Sequence, residues 1–355
     1  MKDLNFLKKY INNDSPSQFE SSGQKIWAEY VKPYVDKIYD DSYGNVVAVI
    51  NPDSDFKVVI EAHSDEISFL INRIDKDGFL WVCKNGGVDE RIALSQRVKV
   101  YTNSGTIIDG IFGSKAIHLR EGKEAVKIEE LYIDIGCDTK EEVESKGIEI
   151  GNYAVYVSEF QILNDVKYVG KSLDDKIGGY INSQVIKKLK ETGDKLPFGL
   201  YIVNSVMEEI GLRGAQIATQ HIKPDVAICI DVTHDTSTPG IDDKKVGEFK
   251  IGKGIVLKQA PAVQKNFLKL IKETAIENKI EFKINPTGGT TGTNTDMFTF
   301  SNGGVVSALM SVPMRYMHSI VEQIHEKDVE DCIELMYQTL KKIEYKHDFR
   351  YLKLD

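Results

Sequence analysis

Four apolar runs in this sequence end in residues able to hold a metal ion. VVIEA leads into His63-Ser64-Asp65-Glu66, FGLYIVNSVM into Glu208-Glu209, VAICI into Asp231 and GVVSALMSVPMRYM into His318, while Asp174-Asp175 opens the segment SLDDKIGGY. Two imidazoles and a group of carboxylates, with no cysteine among them, make a nitrogen and oxygen donor set suited to zinc, cobalt or manganese. Carboxylates crowded in this way repel one another unless cations lie between them. The donors suffice for two ions. With His63, Asp174, Glu209, Asp231 and His318 as ligands, three carboxylates and one bridging hydroxide balance two divalent cations, and a neutral sum makes burial tolerable. Adjacent residues leaving a strand point in different directions, so Glu208 and Glu209 are expected to divide two roles, one binding metal and one moving a proton.

Each pattern alone has a plainer reading. A Glu-Glu pair commonly starts a solvated helix, Asp174-Asp175 can cap one, His63 can be a hydrogen-bonded core histidine, and Asp231 with His234 and Asp235 can form a polar turn before a proline. The metal reading rests on recurrence, because in an open parallel sheet the carboxyl ends of the strands line one crevice. The stretch Thr287 to Asp296, TGGTTGTNTD, lacks the Gly-Lys-Ser/Thr ending of a phosphate loop, and its expected place is beside the metals as a substrate-lining loop. His118, His221, His325 and His347 fall outside the pattern.

The elements that must position these groups follow from periodicity. Ile26, Trp27, Tyr30 and Val31 mark a helix within residues 16 to 37, and DDSYGN then turns into a strand pair, NVVAVI and FKVVIEAH. From about Phe69 to Asp165 short alternating runs take over, with Asn103-Ser104-Gly105 as a hairpin turn. After this β-rich insertion a helix with Ile177, Tyr180, Ile181, Val185 and Leu189 on one face alternates with strands apolar on both faces. That alternation predicts an α/β fold, a mostly parallel central sheet sandwiched by helices.

The chain has 355 residues, 41% hydrophobic and 28% charged, enough for a core with a sizeable insertion. A net charge of −9 and a pI near 5.4 give no basic footprint for nucleic acid or an anionic membrane. Cys83, Cys137, Cys229 and Cys332 form no CxxC pair, and neither a secretory h-region nor a long apolar span is present, so the expectation is a soluble cytoplasmic protein with reduced thiols.

The motifs EAHSDEISFLI, GGVDERIALSQRVKV, LYIDIGCDTKEEVESKGIEIGNYAV, GKSLDDKIGGY, MEEIGLRGAQIA, IDVTHDTSTPG, TGTNTDMF and SVPMRYMHSIVE occur in this order. Together they resemble the dinuclear metallo-aminopeptidases that assemble as tetrahedral dodecamers, the glutamyl and deblocking aminopeptidase family. The resemblance spans nearly the whole chain. It implies a zinc-exopeptidase type catalytic domain over residues 1–69 and 166–355, with a small β-barrel over 70–165 that makes subunit contacts. It implies that His63, Asp174 and Asp231 hold one ion and Asp174, Glu209 and His318 the other, Asp174 bridging. Glu208 matches the general base acting on a metal-bridged water, and Asp65 the carboxylate that orients His63. The implied substrates are short peptides with a free N-terminus, and the implied cofactors are two divalent ions per subunit, zinc before cobalt or manganese. A dimetal deacylase or carboxypeptidase would use much the same ligands, a vestigial site in an oligomeric interaction protein would bind metal weakly, and a glycoside hydrolase would leave the histidines unused. Three departures stand out: NNDSPSQFES in place of a Pro-Ser-Gly type turn, a longer Gly/Thr loop, and HSIVE in place of HSPVE. None removes a ligand.

Overall fold

The computed structural model describes residues 3–119 and 126–354. Its centre is an eight-stranded mixed sheet. The order runs 37–40, 46–50, 199–205, 57–63, 226–234, 306–314, 255–259 and 282–286. The middle four strands are mutually parallel, and antiparallel neighbours flank them. These central strands are buried on both faces, as their unbroken apolar runs require.

Helix Leu173–Thr192 lies on strands Lys57–His63 and Val226–His234, flanked by helices 4–11, 21–31 and 326–342. A second group, the helices Arg213–Ile222 and Thr295–Thr299, covers the other face. Successive residues of strand Lys57–His63 report the two sides: Ala62 meets Gly178 of the first group, whereas Glu61 accepts a hydrogen bond from Asn294 of the second. Gly178 has to be glycine, since a Cβ there would stand 2.8 Å from that of Ala62 and 2.4 Å from the carboxylate of Asp175.

One expectation about strands needs correction. NVVAVI and FKVVIEAH are not partners, because strand Gly199–Ser205 inserts between them. The connection 51–56 arches over the entry of that strand, where Asn51 Nδ2 donates to the Phe198 carbonyl at 3.1 Å and Gly199 N–H to that of Phe56 at 2.9 Å. The sheet is mostly parallel, as expected, with strand Ile255–Gln259 antiparallel to Val306–Met314.

A closed barrel is spliced in beyond the first of the central parallel strands. Its strands are Ser68–Ile74, Leu80–Asn85, Arg97–Tyr101, Ile107–Phe112, Tyr132–Asp134 and Tyr153–Tyr156. The Asn103-Ser104-Gly105 turn pairs Tyr101 with Ile107, and Gly105 adopts φ +83°, a left-handed conformation that glycine takes without penalty. Phe69, Phe112 and Tyr156 centre a hydrophobic cluster separate from that of the sheet. A three-stranded sheet of 161–163, 167–170 and 322–325 carries the chain back.

Charge also bridges the two units. Lys171 Nζ lies 2.7 Å from Asp14 and 2.6 Å from Glu66, and Lys176 lies 3.5 Å from Glu66, all of them buried. From the barrel, Lys99 approaches Asp14 at 3.3 Å and the Tyr101 hydroxyl donates to it. Burial opposes the charge on Asp14, yet Lys171 holds its carboxyl down at about 2. Removing the cation leaves Asp14 with the partly exposed Lys99 and Glu66 with the longer contact to Lys176, so Lys171→Met is expected to cost up to about 3–5 kcal/mol in denaturant unfolding. Adding Asp14→Asn should recover part of the loss; a single variant as stable as the parent would show that the network contributes nothing.

Candidate metal centre

The crevice opens where two neighbouring strands part. Strand Lys57–His63 pairs with Val226–His234 only as far as Glu61↔Cys229, so His63 and Asp231 face each other beyond the last rung. Asp231 sits within its strand and not after it, because pairing with strand Val306–Met314 continues through Asp231↔Ser311 to His234↔Met314. The expected convergence therefore comes from divergence of two ladders as well as from strand ends.

Asp174 occupies the middle. Its Oδ1 lies 3.1 Å from His63 Nε2 and its Oδ2 lies 3.3 Å from His318 Nε2, so the two oxygens of one carboxylate address two different imidazoles. Glu209 Oε1 is 3.2 Å from the same His318 nitrogen. Ligand atoms of His63, Asp174 and Glu209 lie within 4.8 Å of one another, as do those of His63, Asp175 and Asp231. Each proposed ligand thus reaches at least one other, and Glu208 is buried alongside.

Asp65 orders this arrangement from behind. His63 Nδ1 is 3.2 Å from the Asp65 carbonyl and 3.4 Å from its carboxylate. The same carboxylate accepts the Glu208 N–H at 2.9 Å, the Glu209 N–H at 3.2 Å and the Ser17 hydroxyl at 2.6 Å. One buried acid fixes both the first imidazole and the loop that carries the paired glutamates. Ser17 belongs to the altered N-terminal turn, where Gln18 adopts φ +77° and reaches Asn85 at 3.4 Å.

Several residues that shape the centre escaped the strand-end reading. Asp175 performs the plain capping role, accepting the Gly178 N–H at 3.1 Å, while Asp174 does not cap; the other Asp175 oxygen is buried without a partner. Glu322 accepts both the Asp174 N–H at 3.1 Å and the His318 N–H at 2.9 Å, and its position in HSIVE, four residues after His318, was the available signal. Gly87 offers its carbonyl to His318 Nδ1 at 2.9 Å, with no signal in the local sequence. The Gly/Thr loop is anchored through Asn294 to Glu61 and Ser205 below His63, and its Gly288 and Gly292 face open space.

The electrostatics fit divalent cations. Among the described residues the ion-pair partners of these carboxylates are His63 and His318 alone. Burial, with Asp231 and Glu209 adding repulsion, pushes Glu208 up to about 10 even though His63 pulls the other way. Burial also drives Asp231 and Asp175 upward, reinforced by neighbouring carboxylates. Burial disfavours a charged His318, but Asp174 and Glu209 overcome it and raise the imidazole to about 11. A bound divalent ion would reverse these directions, keeping ligand carboxylates ionised and imidazoles neutral.

A donor cluster of this kind, at the parting strands of a mixed sheet with a barrel spliced in behind its first histidine, belongs to a peptide hydrolase. The chain is a member of the M42 glutamyl aminopeptidase family, whose profile matches residues 44–335. It is 32% identical to the lysyl aminopeptidase of Pyrococcus furiosus over 97% of this chain and 98% of that one. Among solved structures, a TET aminopeptidase from a marine sediment Thaumarchaeota archaeon superposes with a TM-score of 0.91 at 30% identity, covering 96% of both chains. The TET1 peptidase of Pyrococcus horikoshii, described as assembling into a tetrahedron or a large octahedral shell, gives 0.84 at 28% identity over 96% of this chain and 99% of its own. Among the described residues no helix is long and apolar enough to cross a membrane.

Asp65→Asn tests the ordering acid, because an amide must turn an NH2 toward groups that now donate to an oxygen. The expected result is a loss of metal affinity of about 10–100-fold in chelator competition. Unchanged affinity would leave Asp65 without the orienting role.

Proposed function

We propose that this chain is a two-metal aminopeptidase that removes single residues from the free N-termini of short peptides. The observation that supports this reading best is Asp174, whose two oxygens each face a different imidazole. His63, Asp174 and Asp231 would hold one ion, and Asp174, Glu209 and His318 the other. Two divalent ions there, zinc before cobalt or manganese, would acidify a water, hold the substrate α-amine and polarise the scissile carbonyl. Glu208 takes the water proton and passes it to the departing amine. Its backbone N–H is held by Asp65, and its side chain is buried beside the ligand carboxylates of this reading. Asp65 keeps His63 in one ring orientation.

Residues 1–69 and 166–355 form the catalytic unit in this reading, and 70–165 the unit that joins subunits. Assembly of the TET1 relative into closed shells supports a homo-oligomer here, a dodecamer in the simplest case. An enclosed centre would admit short peptides and exclude folded proteins by size. The names of relatives span lysyl and glutamyl preferences, so side-chain selection is assigned to the walls of the crevice and not to the shared ligands.

Mass-spectrometric cleavage of a short-peptide library, half with free and half with acetylated N-termini, should show stepwise loss of single residues from the free half alone. Chelation should abolish turnover and zinc, cobalt or manganese restore it. Cleavage of the acetylated half instead would make the enzyme a deacylase, and no cleavage with any metal would favour a vestigial site. Glu208→Gln should keep both ions and lower kcat by about 10²–10⁴-fold, the span of general base catalysis; near-normal turnover would remove Glu208 as the base.

A further inference from the structure

The barrel contributes to the crevice itself. His318 sits in the segment after strand Val306–Met314, with a left-handed backbone at φ +61° that Glu322 pins through its N–H. Its ring is held from the other unit. His318 Nδ1 donates to the carbonyl of Gly87, 231 residues away, in the loop that leaves barrel strand Leu80–Asn85. The fit leaves no room: a Cβ on Gly87 would lie 2.8 Å from His318 Nδ1 and 2.9 Å from Cε1. Gly86 beside it borders the other side of the centre, where a Cβ would lie 2.9 Å from Ile67 Cγ2 and 3.3 Å from the Cβ of Glu209.

Two further ties hold the same segment. Ile320, at the position where HSIVE departs from HSPVE, packs against the hydrophobic core of the barrel. Its carbonyl accepts the hydroxyl of Ser158, in the chain leaving the last barrel strand, at 2.8 Å. The contrast with His63 is informative. That ring is oriented by Asp65 of its own loop, whereas His318 takes its orientation from a carbonyl of the inserted unit.

We infer that Gly87 and its loop are positioning elements of the ion held by His318, so that the barrel sets the affinity of one metal position and leaves the other alone. A carbonyl acceptor at Nδ1 fixes the tautomer with Nε2 free to ligate, toward Asp174 and Glu209. The inference rests on the proposal that His318 is a ligand. It gives the barrel a role in the chemistry that is separate from any part it has in assembly.

The test measures metal directly. Purified full-length protein is titrated with zinc against a chromophoric chelator to give two dissociation constants, with ion content checked by mass spectrometry. Gly87→Ala is expected to weaken one constant by about 10–100-fold while the other stays within twofold, as for loss of an orienting partner. Gly87 has no positive φ, so the substitution adds contact without backbone strain; Gly105→Ala, which carries φ +83° in the same barrel and touches nothing, should leave both constants unchanged. If Gly87→Ala does not fold, Ser158→Ala decides through a smaller, equally one-sided loss. His318→Ala serves as the reference. Should it lose the ion while neither barrel variant affects either constant, the barrel inference falls and the ligand assignment stands. Should His318→Ala itself retain both ions, the ligand assignment falls and the inference falls with it.

Discussion

The structure is organised around a surplus of buried negative charge. Asp65, Asp174, Asp175, Glu208, Glu209 and Asp231 lie in one crevice, and imidazoles are the only ion-pair partners the described residues bring to it. Burial, reinforced by neighbouring carboxylates, drives Glu208 and Asp231 upward, while Asp174 and its neighbours raise both imidazoles against the effect of burial. Divalent cations placed in such a crevice would relieve the same repulsion. Everything around it keeps the acids from moving apart.

The restraint comes from acceptors that take more than one donor. Asp65 binds two consecutive backbone N–H groups and faces an imidazole, and Glu322 binds the N–H groups of Asp174 and His318 together. Each ties two of the loops at the rim, so a ligand loop cannot shift without disturbing a second. Burial opposes the charge on Asp65, yet His63 and the N–H donors hold its carboxyl below the usual range, whereas burial beside Asp174 pushes Glu322 well above it. The strand that carries Asp231 needs no such tie, because its pairing with Val306–Met314 runs past that residue.

Much of this was legible in the sequence because the chemistry follows strands. Apolar runs reveal strands, strands in a parallel core end on one side, and residues that can ligate stand out against the apolar background. His63, Glu208, Glu209 and His318 came from that logic, and Asp174 from the acidic pair that opens the helix after the insertion. Asp231 came from it for an imperfect reason, since strand pairing extends beyond it. The order of strands was not legible: nothing local in NVVAVI says that Gly199–Ser205 will lie between it and FKVVIEAH. Asp174 and Asp175 could not be separated either, because capping and ligation call for the same residue type, and only the turn geometry assigns the cap to Asp175. The Gly87 carbonyl left no trace at all, because a backbone acceptor has no residue type and its partner lies far along the chain.

The position of the insertion follows from the same geometry. The chain leaves the sheet just beyond His63–Glu66 and returns through 167–170 just before Asp174, so the barrel is anchored by two loops that both border the crevice. A unit held at those two points lies against the rim, and its Gly86-Gly87 turn approaches Glu209 and His318, which lie at neither anchor. The buried Lys171, beside the return point, closes the junction by pairing with Asp14 and Glu66 while Lys99 and Tyr101 of the barrel reach the same Asp14. Insertion at a distant surface loop would give a second domain of equal stability with no hold on the centre. Insertion between the loops of His63 and Asp174 makes the barrel a wall of the crevice, and the same contacts that hold it there restrain the groups whose repulsion would otherwise open it.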